Sequence, residues 1–339
     1  MRGTILQLPR FVHESPRRTD MPVTAEPDPR PGEQRAAPRH LALVLNSQAG
    51  ALIGQEGHGS LEDLLRRETG ELTVIPPDSG TLPERIAQAQ KTGSDVIVVA
   101  GGDGTVACAA QALAGSDAAL GLIPCGTMNL LARDLKLDPA DHEACARIVA
   151  EGAVRAIDVG ELTGADGEKH IFLCASMLGT PARLSRHREA GRERGNGVRA
   201  WAGFGVAAFR ALWRNRSMRF VLRYDGKVRQ VRTPSLTIVV NALDDESGRM
   251  FGRSRLDGGT LAIYLVRRAS VLGQLGLLLR MAVSGSLRTP RIEVIMTKSL
   301  EVESHHSAMH VLVDGEMRLL KPRLHYRVRP GALNVIAPA

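Results

Sequence analysis

The chain has 339 residues, 43% of them hydrophobic but only 3% aromatic, and a formal net charge of +8 in which Arg outnumbers Lys. This length holds two domains, each able to bury its own core. The scarcity of rings leaves those cores to Val, Leu, Ile and Ala, and it disfavours a protein that stacks nucleic-acid bases, so no nucleic-acid partner is expected. The charge fits an anionic partner, such as nucleotide phosphates or an acidic membrane surface, without choosing between them.

Four cysteines, Cys108, Cys125, Cys145 and Cys174, are widely spaced with no C-x-x-C pair. They read as reduced thiols of a cytoplasmic protein. No window holds 18 uninterrupted apolar residues and the N-terminus lacks the apolar core of a secretory signal, so neither a membrane span nor export is expected. Residues 1–39, rich in Pro, Arg and Glu, read as a disordered tail.

The first ordered element is a strand, Leu41 to Leu45, ending in Asn46-Ser47-Gln48-Ala49-Gly50. Leu61, Leu64 and Leu65 mark a helix, Leu72 to Ile75 a strand, and Pro83 to Lys91 a second helix. The strand Asp95 to Ala100 then runs into Gly101-Gly102-Asp103-Gly104-Thr105, with an Ala-rich helix, Val106 to Ala114, behind it. Glycines let backbone N–H groups approach a phosphate, and a helix N-terminus favours one. Asp103 is the odd residue: a carboxylate beside phosphate oxygens is repelled unless a cation bridges the two or the acid handles a proton. Both cases point to phosphoryl transfer. A further strand, Ala119 to Ile123, ends in Pro124-Cys125-Gly126-Thr127-Met128-Asn129, and a short helix, Leu130 to Leu135, comes next. Alternation of strand and helix predicts a parallel sheet whose three small-residue loops open on one crevice at the strands' carboxyl ends.

From about Ile157 the texture turns to β-rich runs: Ile171 to Cys174, Phe220 to Tyr224, Ser235 to Asn241, Leu261 to Val266, Ile292 to Met296, Ser299 to Val302 and Val311 to Val313. Asp-Gly, Gly-Gly and Ser-Gly turns separate them, which predicts an antiparallel sandwich or barrel. Helical stretches at 198–213 and 271–283 interrupt it.

Each motif has a plain alternative. Gly102-Asp103-Gly104-Thr105-Val106-Ala107 also satisfies the loose dinucleotide pattern G-x-G-x-x-A, but the next strand ends in Leu122-Ile123-Pro124 with no acid for a ribose. Pro124 to Asn129 can be a turn with Asn129 as helix cap. Asp314-Gly315, between apolar runs, is a strong two-residue hairpin signal whose neighbouring Glu316 would then be incidental.

Taken together and in order, Gly101-Gly102-Asp103-Gly104-Thr105, Pro124-x-Gly126-Thr127-x-Asn129-x-x-Ala132-Arg133 and Asp314-Gly315-Glu316 resemble the motifs of the diacylglycerol kinase catalytic-domain family, the soluble bacterial lipid kinases related to sphingosine kinases. Residues 330–338 are similar to the family's closing strand. The resemblance implies a Rossmann-like parallel-sheet nucleotide domain over 40–157, to which 325–339 returns, and a β-sandwich lipid-substrate domain over 158–324. It implies ATP as phosphoryl donor, Mg²⁺ as cofactor and a lipid alcohol as acceptor. Asn46, Gly50, Gly101, Gly102, Asp103, Gly104, Thr105, Gly126, Thr127 and Asn129 would bind nucleotide. Glu316 would take the proton of the lipid hydroxyl, whose pKa lies far above 7, and Asp103 would help hold the metal.

The departures concern acids. Ser47 stands where the family commonly has proline, Ala107 and Cys108 where many members have Asn-Glu, and Leu130 where Asp is expected. The resemblance also implies a structural Mg²⁺ in the second domain, and Asp257 lies one position early for it. A NAD kinase-like small-molecule kinase and a catalytically weak nucleotide-binding regulator are therefore the competing readings. The Arg-rich segment from Arg183 to Arg219, with Trp201, Phe204, Phe209 and Trp213 among its arginines, either docks on an anionic membrane at the inner face or packs its rings into the second domain. His305, His306 and His310 read as a solvent-exposed cluster, and a homodimer is compatible with the chain.

Overall fold

Val96, Ile97, Val98 and Val99 are apolar without alternation, the pattern of a strand covered on both faces, and each is essentially inaccessible. They belong to the computed structural model's central strand; the structure describes residues 39–46, 61–69, 71–179, 217–244, 252–266 and 292–339. Residues 1–38 of the expected tail, Gly50, the helices expected at 198–213 and 271–283, and all of the Arg-rich segment before residue 217 lie outside the described residues.

In chain order the first half comprises β1 (Leu41–Leu45), α1 (Leu61–Thr69), β2 (Leu72–Ile75), α2 (Leu82–Lys91), β3 (Val96–Gly101), α3 (Asp103–Leu113), β4 (Ala119–Pro124), α4 (Leu130–Asp134) and α5 (His142–Glu151). The second comprises β5 (Ala153–Thr163), β6 (Lys169–Phe172), β7 (Ala175–Gly179), β8 (Met218–Tyr224), β9 (Lys227–Thr233), β10 (Ser235–Val240), β11 (Leu261–Val266), β12 (Ile292–Thr297), β13 (Ser299–Glu303), β14 (Met309–Val313), β15 (Glu316–Leu320) and β16 (Leu324–Ala337).

Strands β2-β1-β3-β4 are parallel, and the sheet continues through β16, β13, β8 and β9. β16 is the hinge of this topology. It is parallel to β4 at Val335, opposite Leu120, and antiparallel to β13 and to the whole length of β5, with a bulge between Arg329 and Leu333. The second sheet, β12-β11-β10-β7-β14-β15, is antiparallel throughout.

This layering buries two main cores. One packs Ile86, Leu113, Cys145 and Val149 of the helices against Leu43, Val98 and Leu122 of the parallel strands. The other draws Phe172, Phe220 and Tyr326 from the first sheet and Leu236, Ile263 and Val311 from the second. Phe172 and Tyr326 meet edge to face at 6.2 Å in its middle. The β-rich half is thus a sandwich, and the N-terminal half an α/β layer.

Three details differ from the sequence reading. Helix α3 starts at Asp103 rather than Val106, because Gly102 is extended and its carbonyl accepts the N–H groups of Thr105 and Val106. The run from Ile171 to Cys174 is not one strand: β6 stops at Phe172, and the chain crosses to the other sheet at Leu173 and Cys174 before β7 begins. Helix α5 and the strands β5, β7, β9 and β15 have no counterpart among the expected elements; of these, β9 and β15 each end their sheet and are rich in charged residues in place of an apolar alternation.

Candidate active site

Three loops at the carboxyl ends of β1, β3 and β4 meet. Asn46, at the end of β1, donates from Nδ2 to the Thr105 hydroxyl at 3.0 Å. Gly102 and Gly126 touch backbone to backbone, so that a Cβ on Gly126 would fall 2.6 Å from the Gly102 Cα. Only glycine allows that approach. Asn129 holds the second loop from within: it adopts the left-handed conformation (φ 48°), accepts the Gly126 N–H at Oδ1 and donates to the Gly126 carbonyl at 2.7 Å. Its side chain therefore does not cap α4. That role falls to Asp103, whose Oδ2 and Oδ1 accept the N–H groups of Asn129 and Leu130 at 2.9 and 2.6 Å.

The third motif approaches from the sandwich. Asp314-Gly315 is the hairpin turn between β14 and β15, with Val313 opposite Glu316 and positive φ at both central residues, 45° and 91°. The Asp314 side chain turns inward and accepts three successive N–H groups, from Leu173, Cys174 and Ala175, at 2.5 to 2.9 Å. Burial raises the Asp314 carboxyl above its ordinary value, and the three donors pull it back. Glu316 points the other way. Its Oε1 lies 3.8 Å from where a Cβ on Gly104 would sit, and its Oε2 pairs with Arg318 at 2.6 Å.

Between the loops and the hairpin lies a cleft of about 900 Å³. Asn46, Gly101, Gly102, Gly104, Thr105 and Gly126 line it from one side and Glu316 from the other. Asp103, Thr127 and Asn129 do not line it, and Gly50 lies outside the described residues. Helix α3 has no side chain capping its start, and Gly102 and Gly104 bring that end to the cleft. Its unpaired N–H groups are the physical basis of an anion site.

A resident metal finds few ligands here. Asp314 and Glu316 are the only carboxylates lining the cleft among the described residues, and Asp314 is committed to three N–H donors. No group of three His, Cys, Asp or Glu residues could hold a metal ion among the described residues. Asp257 is half exposed, with Arg255 at 3.5 Å. Its loop is organised by a different acid, the buried Asp158, which accepts the N–H groups of Gly259 and Gly331 at 2.6 and 2.9 Å. His305, His306 and His310 are exposed.

Gln111, His170 and Arg318 line the cleft without belonging to any of the three motifs. Gln111, two turns along α3, accepts the Ile171 N–H at 2.7 Å and so ties α3 to β6. His170 and Arg318 line the same wall. Cys108 lines it too, and burial, then the charge of Glu316, push its thiol up. The spacing of Gly104, Cys108 and Gln111 along one helix face was the available signal. Cys145 and Cys174 are buried with thiols pushed up to about 12, chiefly by desolvation, and none of the four cysteines is in a disulfide.

These features define a class: an α/β lobe with a glycine loop at the carboxyl ends of a parallel sheet, joined to an antiparallel β-sandwich that reaches over it. Residues 40–162 match the diacylglycerol kinase catalytic domain, and residues 176–337 match the YegS C-terminal NAD kinase beta sandwich-like domain. The chain belongs to the diacylglycerol kinase family. It is 27% identical to a diacylglycerol kinase of Mycobacterium tuberculosis over 210 residues, 61% of this chain and 62% of that protein's length. It is also 27% identical, over 81% of itself and 87% of the other, to a Pseudomonas aeruginosa protein named "Probable lipid kinase YegS-like". The fold resembles a solved diacylglycerol kinase from Bacillus anthracis, with a TM-score of 0.61 at 18% identity over 88% of this chain and 97% of that one. No described helix is long and apolar enough to cross a membrane.

Proposed function

We propose that the protein transfers the γ-phosphoryl group of ATP to the hydroxyl of a lipid alcohol, with diacylglycerol or a sphingoid base as the acceptor class and a phospholipid such as phosphatidic acid as the product. The observation that carries this reading is Glu316 standing over Gly104, at the N-terminus of α3. Phosphate oxygens would lie against the N–H groups of Gly102 to Gly104, with Asn46 and Thr105 joined behind them and Gly126 closing the side. A lipid hydroxyl entering beside Glu316 would give up its proton to that carboxylate as its oxygen attacks phosphorus. Arg318 holds the carboxylate's other oxygen.

Mg²⁺ would arrive with the nucleotide rather than reside in a protein cage, because Asp314 is committed to backbone N–H groups and Glu316 to the proton, so that phosphate oxygens would supply most of its ligands. It would offset phosphate charge. Asp103 and Asn129 act on the nucleotide through the shape of the Gly126 loop they hold. The net charge of +8 suits peripheral contact with an anionic membrane, where the acceptor is met.

The test is an assay with Mg²⁺ and labelled ATP, offering diacylglycerol, sphingoid bases and NAD in turn. Label in the lipid phase, lost in Glu316→Gln while ATP still binds, is the expected result. Label on NAD moves the protein to the small-molecule kinases, and ATP binding without transfer to any acceptor makes it a nucleotide-binding regulator.

A further inference from the structure

Helix α4 has five residues, too few to hold its place by its own hydrogen bonds. It is gripped at both ends. Asp103 accepts the first N–H groups, and Asp134 at the far end meets Arg253 of the second half of the chain. Asp134 Oδ2 lies 2.9 Å from Arg253 Nε and 2.8 Å from Nη2, and Oδ1 accepts the Arg253 backbone N–H at 3.0 Å. The two side chains are only 2% and 1% exposed.

Arg253 Nη1 donates onward to the carbonyls of Leu173 and Val240. Leu173 is where the chain crosses from the first sheet to the second, and its N–H, with those of Cys174 and Ala175, is the group that Asp314 accepts. The Asp314 N–H returns a bond to the Ala175 carbonyl at 2.9 Å, and Glu316 comes two residues later. A continuous polar track therefore joins the acid of the glycine loop to the glutamate across the cleft.

A buried ion pair is a costly way to stabilise a core, since an apolar pair of equal volume often does as well. The planar guanidinium reaches Asp134 and two carbonyls at once, one on the crossover and one at the end of β10, which an ammonium cannot do in that geometry. We propose that the Asp134–Arg253 pair is a positioning device: it clamps the crossover Leu173–Ala175 against α4 and thereby sets where Glu316 stands relative to the glycine loop. This rests on the reading of Glu316 as proton acceptor, and its test has a readout that needs no turnover.

The full chain is prepared as Arg253→Lys and, in case that variant does not fold, as the near-isosteric Asp134→Asn. Each is carried with Glu316 and with Glu316→Gln. Folding is checked by thermal melting, kinetics are measured with whichever acceptor takes the label, and iodoacetamide labelling of Cys108 is tracked by peptide-resolved mass spectrometry. In the parent, Glu316→Gln removes the nearby negative charge that disfavours the Cys108 thiolate, so labelling at a fixed pH speeds up. In a folded positioning variant that acceleration is lost, and kcat falls about 10²-fold, the cost of a displacement near 1 Å, while KM for ATP is unchanged. A folded variant that keeps the Glu316 effect on Cys108, or that keeps its kcat, overturns the proposal. Should no lipid accept phosphate, the Cys108 measurement alone decides the matter.

Discussion

Asp103 and Asp314 stand in Asp-Gly dipeptides on opposite sides of one cleft, and the carboxylates of both accept hydrogen bonds from backbone N–H groups. Asp103 accepts two such bonds and ties the loop after β3 to the loop after β4. Asp314 accepts three and ties a hairpin to the crossover between sheets. The difference lies in the residues immediately C-terminal to each. After Asp103 come Gly104, Thr105 and a helix whose start is open to the cleft; after Asp314 comes one glycine and then Glu316, which heads the returning strand and whose side chain faces Gly104. An aspartate that organises backbone and a glutamate that faces the glycine loop are two positions apart in one hairpin.

The comparison breaks most visibly at Glu316. Glu316→Gln should lower phosphoryl transfer by about 10²–10⁴-fold, the usual worth of a positioned acid or base, with ATP affinity by calorimetry unaltered. Retained turnover removes Glu316 as acceptor. Asp314→Ala strands three N–H donors in a buried place and should cost roughly 3 kcal/mol or more, read as a lower urea midpoint. An unchanged midpoint means that the crossover does not need this acid.

Gly126→Ala tests the contact between the loops. Its methyl would meet the Gly102 Cα at 2.6 Å, so we expect a loss of about 1–3 kcal/mol and weaker ATP binding. The smallest effect separates the two descriptions of Asp103. As a backbone acceptor, Asp103→Asn should cost about 1 kcal/mol of stability and leave the Mg²⁺ concentration for half-maximal activity where it was. A shifted Mg²⁺ requirement assigns Asp103 to the metal instead.

Much of the architecture was legible because its signals are local. The apolar runs at Leu41 to Leu45 and Asp95 to Ala100 correspond to β1 and β3, and the Asp314-Gly315 dipeptide is the hairpin turn that its composition announced. The loops after β1, β3 and β4 could be placed on one crevice because a parallel sheet puts all its carboxyl ends on one edge. The direction of the side chains on those loops was not legible. A glycine motif with an acid reads the same whether the acid faces a phosphate or a neighbouring loop, and the choice depends on which N–H groups lie within hydrogen-bonding reach.

By itself, then, the sequence determined the two textures, the glycine loop and the order of three motifs, since periodicity and turn chemistry act over a few residues. Only the tertiary structure decided that Asp103 and Asn129 serve the loop, that Asp158 rather than Asp257 organises the Gly258-Gly259 turn, and that Asp134 and Arg253 meet although they are 119 positions apart in the chain. Contacts between residues so far apart in sequence are set by how the sheets stack, and no local pattern encodes them. The glutamate over Gly104 belongs to both accounts: its motif marks it, and the fold carries it across the cleft.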